Sequence, residues 1–88
     1  HETLLKLMFG KQISVADNII QIKRFRDLQI NDLKEIEILK RRFNSEEVDD
    51  PNMPFWRLAF GYGEHVNRAY IQWAEEALAA LSKMENRN

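Results

Sequence analysis

No cysteine occurs among these 88 residues, which removes disulfide staples and thiolate metal sites together. A chain this short buries a modest share of its surface, and small domains commonly rely on a disulfide, a metal or a partner for the rest. The absence of cysteine also fits a reducing compartment, so a soluble, cytoplasmic protein is expected. No apolar run reaches the ~18–20 residues of a membrane span, and no signal-peptide pattern opens the chain. Neither sign of charge dominates. Thirteen basic and 14 acidic residues leave a net charge of −1, whereas a domain that grips nucleic acid by its phosphates carries a basic excess or patch. Breakers are scarce, with 3 glycines and 2 prolines. No run alternates apolar and polar residues with β-branched enrichment, so no strand is expected. These absences leave one all-α domain over residues 1–88.

What is present reads as three helical segments. The first, Glu2 to Phe9, is short and ends at Gly10, a residue suited to the left-handed conformation that stops helices. The second starts at Ser14, where Ser14-Val15-Ala16-Asp17 has capping-box spacing with Asp in the acidic place, and runs to about Phe43, with Asn44-Ser45 able to end it. The third starts near Pro54, whose missing N–H costs nothing in a first turn, with Asn52 or Asp50 able to cap, and runs to about Met84. The two long segments are each ~45 Å at a rise of 1.5 Å per residue. Joined by a short acidic, proline-bearing connection, they should fold back as an antiparallel hairpin.

These helices carry more apolar surface than one hairpin hides. On the third segment Trp56, Ala59, Gly63, Val66, Tyr70, Trp73, Ala77, Ala80 and Met84 recur at spacings of three and four, a heptad seam of coiled-coil type, with Phe60, Ile71, Ala74, Leu78 and Leu81 in a row beside it. On the second, the apolar positions from Val15 to Phe43 spread over a wide arc, and Ile20 and Ile38 stand on the polar side. The first is worse still, because Leu4, Leu5, Leu7, Met8 and Phe9 leave it apolar nearly all round. Leaving several such side chains in water forgoes roughly 1.5–3 kcal/mol each, a sum that rivals the ~5–15 kcal/mol stability of a small domain. A homodimer is therefore expected. Its interface is expected to use Leu4, Leu5, Leu7, Met8 and Phe9 with Trp56, Ala59, Gly63, Val66, Tyr70, Trp73 and Ala77. Gly61 and Gly63 each cost up to ~1 kcal/mol relative to alanine inside a helix, which implies close packing or a kink.

Several stretches resemble a known family. Leu4-Leu5-Lys6-Leu7-Met8-Phe9-Gly10 is similar to the opening segment of the C-terminal helical domain of PadR-like transcriptional regulators, related to the virulence-activator α C-terminal type. Phe55 to Gly63, followed by Tyr70-Ile71-Gln72-Trp73-Ala74-Glu75-Glu76-Ala77-Leu78, is similar to that domain's closing helix. The resemblance covers nearly the whole chain. It implies a dimerisation module that spaces two DNA-reading winged helices belonging to an N-terminal domain. Contact with operator DNA would then come only through that domain, which is missing from this sequence; a start at His1-Glu2-Thr3 reads as a cut made at such a boundary. Some members sense aromatic molecules near the dimer interface. Trp56, Tyr70 and Trp73 share a helical face on which a small planar effector could stack, although ordinary packing explains the same residues.

No catalytic constellation is expected, and no cofactor or metal. Glu64-His65 lacks a second histidine one turn on, where Ala69 stands, and the acidic run Glu46 to Asp50 lacks the central glycine and alternating ligands of a calcium loop. Lys40-Arg41-Arg42 complements a helix C-terminus. Two alternatives stand beside the regulatory reading. One is a self-association module of a non-regulatory helical assembly. The other is an all-helical chorismate mutase-like enzyme, for which Arg26 and Lys40 supply two cations while the rest of the expected charged set is missing.

Overall fold

A computed structural model describes residues 13–45 and 50–86. The described residues form two helices and no strand: α1 (Val15–Ser45) and α2 (Met53–Glu85). They pack against each other as an antiparallel hairpin. The helix expected over residues 2–9 lies outside the described residues, as do residues 46–49 of the acidic run. Both long helices extend slightly past their expected ends, by Asn44-Ser45 on α1 and by a residue at each end of α2.

Local chemistry sets the boundaries. The Ser14 hydroxyl oxygen accepts from the Asp17 backbone N–H at 3.1 Å, the N-cap bond expected from the sequence. At the start of α2 the capping role goes to one of the two candidates. Asn52 makes no side-chain cap bond, whereas Asp50 accepts from the Asn52 N–H at 2.8 Å through its carboxylate and from the Met53 N–H at 2.9 Å through its carbonyl. Pro54 then sits in the first turn, where no intrahelical donor is required.

The hairpin contact has three zones. At the open end Ile22 (1 % exposed), Phe25 (2 %), Ala74 and Leu81 form a buried cluster, with Val15, Ile19, Tyr70, Trp73, Ala77 and Leu78 packed around it. Phe25 meets Tyr70 and Trp73 edge-on, with ring centroids 5.5 and 6.0 Å apart. In the middle, the buried side chains of Gln29 and Asn67 hydrogen-bond to each other. Near the turn, Phe43 stacks on Trp56 at 6.3 Å and tilts against Phe60 at 5.4 Å, beside buried Met53.

The line of α2 that faces α1 therefore runs through Met53, Phe60, Asn67, Ala74 and Leu81, one residue per heptad. The expected seam lies to one side of that line, and its Gly63 is spent inside the hairpin. A Cβ built on Gly63 would stand 2.8 Å from Cδ1 of Ile36, while one on Gly61 would meet nothing within 4 Å. Close helix approach thus explains Gly63. α2 runs unbroken through both glycines.

Candidate association surface

The two edges of the hairpin differ in kind. On one, Lys40 donates to Glu64 at 2.9 Å and Arg68 donates to Glu37 at 3.2 Å, with Arg68 also 3.8 Å from Glu64 one helical turn away. Glu64 and Arg68, spaced i,i+4, do not pair on a solvated face, since the Glu64 side chain is only 15 % exposed. Its carboxyl is held below the usual carboxylate range, first by the hydrogen bond from Lys40, then by the nearby charges of Lys40, Arg68 and His65, against an opposing effect of burial. A groove of about 400 Å³ lined by Glu37, Lys40, Arg41, Asn44 and Glu64 lies along this edge.

The other edge is apolar on its α2 side. Phe55 (69 % exposed), Leu58 (72 %) and Tyr62 (74 %) stand in water, and Trp56 and Met84 are about half exposed. On α2, Phe55, Ala59, Tyr62, Val66, Ala69 and Trp73 recur at alternating spacings of four and three, a heptad row turned about 120° from the Asn67 line at roughly 100° per residue. Ala77, Ala80 and Met84 extend it to the end of the helix. Leu28 and Leu39 of α1 are exposed as well. A groove of about 300 Å³ lined by Asn52, Phe55, Trp56 and Ala59 marks the turn end of this surface.

The structure distributes the residues expected at an interface. Tyr70, Trp73 and Ala77 are half-buried against the hairpin's own cluster, and Gly63 meets Ile36. Ala59 is exposed and Val66 half-buried, both on the outward row. Leu4, Leu5, Leu7, Met8 and Phe9 lie outside the described residues. The aromatic trio separates into two groups. Tyr70 and Trp73 bracket Phe25, while Trp56 stacks on Phe43, roughly 21 Å along α2 from Tyr70. One small planar molecule does not span that distance. Arg26 and Lys40, also roughly 21 Å apart along α1, are each matched with a carboxylate, Asp27 at 3.2 Å and Glu64 at 2.9 Å. Among the described residues no group of three or more His, Cys, Asp or Glu is placed to hold a metal ion. No described helix is long and apolar enough to cross a membrane.

Residues 1–82 match the family described as "Virulence activator alpha C-term". The chain belongs to that family. No curated protein and no solved structure matches it. Membership in the virulence activator alpha C-terminal family indicates a regulatory helical domain, and the match spans residues 4–9 as well as nearly all of the hairpin.

Two features of this family member escape a reading of its sequence. Phe55, Leu58 and Tyr62 belong to neither apolar row expected on the third segment, although Phe55 and Tyr62 continue the four-three spacing through Ala59, Val66, Ala69 and Trp73. Asn67, buried at the centre of the contact, escapes because it is polar. The sevenfold recurrence of Met53, Phe60, Asn67, Ala74 and Leu81 is the signal that points to it.

Proposed function

We propose that this virulence activator alpha C-terminal domain is the homodimerisation module of a PadR-like DNA-binding transcriptional regulator, without catalytic activity of its own. The supporting observation is the outward apolar surface of α2, where Phe55 and Tyr62 of the heptad row and the neighbouring Leu58 are 69–74 % exposed while the opposite edge is closed by ion pairs. Exposed contiguous apolar surface of this kind marks an interaction site. The family resemblance supplies the role. Association of two copies would set the separation of two winged helices, so that they meet successive major grooves. DNA contact belongs to the N-terminal domain. A small aromatic effector, if bound, would lie near the Trp56 end, where an apolar groove is open.

Sedimentation of the wild-type chain and of Tyr62→Glu tests the association. The wild type is expected to sediment as a dimer at micromolar concentration and Tyr62→Glu as a folded monomer, because Tyr62 is 74 % exposed and contributes little to the hairpin itself. Identical monomeric profiles would overturn the proposal. In the full-length protein, the same substitution is expected to weaken operator binding, and the coding sequence upstream of His1 is expected to encode a winged helix-turn-helix.

A further inference from the structure

We draw no further inference here: the strongest candidate, the apolar groove at the turn end of α2 lined by Asn52, Phe55, Trp56 and Ala59, belongs to the association surface already described, and nothing in the structure shows what else would cover it.

Discussion

The side-chain amide of Asn67 donates to Oε1 of Gln29 at 2.7 Å, and both residues are buried, at 7 % and 9 % exposure, between two otherwise apolar stretches of the hairpin contact. The bond ties one point of α1 to one point of α2. A slip of either helix would separate the two amides and leave each without its partner, in surroundings where an unmet polar group costs about 1–3 kcal/mol. The pair therefore favours a single register, while the apolar contacts on either side supply the bulk attraction.

Asn67→Leu alone is expected to lower stability by about 1–3 kcal/mol, because Gln29 keeps its buried amide and loses its partner. The double variant Gln29→Leu with Asn67→Leu is expected to recover most or all of that loss, since removing both polar groups also removes the desolvation cost. Urea denaturation of the wild type, both single variants and the double variant closes the cycle. Strict additivity of the two single losses would contradict the pairing.

The two helical glycines should respond differently to alanine. Gly61→Ala meets open space and is expected to raise stability by about 0.5–1 kcal/mol through helix propensity. Gly63→Ala places its methyl 2.8 Å from Cδ1 of Ile36, so the neighbour must move and the gain should shrink or reverse. In an Ile36→Val background, which removes that Cδ1, the two alanines should become equivalent. Thermal melts that show equal gains in the wild-type background would rule out the close contact.

Much of this fold is legible from periodicity and caps. Ser14 and Pro54 lie in their expected helix starts, and the short connection forces the antiparallel return. The division of labour among the apolar residues is harder to read. Trp56, Gly63, Tyr70 and Ala77 occupy the border between the inward and outward faces of α2, so one heptad pattern fits either face. Only packing against α1 decides it, through Phe25 for Tyr70 and Trp73 and through Ile36 for Gly63. The Gln29–Asn67 bond has no local signature, because its two side chains lie far apart in sequence.

Glu64 should give the hairpin part of its acid sensitivity. Its folded-state carboxyl is depressed, chiefly by the Lys40 hydrogen bond, so its stabilising contribution is complete above the unfolded carboxylate value near ~4.3 and is lost as pH falls through the lower folded value. Between about pH 5 and pH 3 the thermal midpoint of the wild type is expected to fall more steeply than that of Glu64→Gln, which has no proton to gain there. Parallel curves for the two proteins would show that the Lys40–Glu64 contact does not persist in solution.

Trp73 and Tyr62 both lie on the outward row, yet glutamate should act on them in different ways. Trp73 is half-buried and meets Phe25 edge-on at 6.0 Å, so Trp73→Glu strips packing from the hairpin cluster as well as from the outward face. About 2 kcal/mol or more of the hairpin's own stability should go with it, lowering the thermal midpoint at every protein concentration. Tyr62→Glu leaves that cluster intact. If two copies associate through this row, the wild-type midpoint rises with concentration by mass action, and Tyr62→Glu should abolish the rise while keeping the helical circular-dichroism signal at low temperature. A concentration-independent wild-type midpoint would contradict the association, and a Tyr62→Glu variant that melts as early as Trp73→Glu would show that Tyr62 supports the hairpin itself.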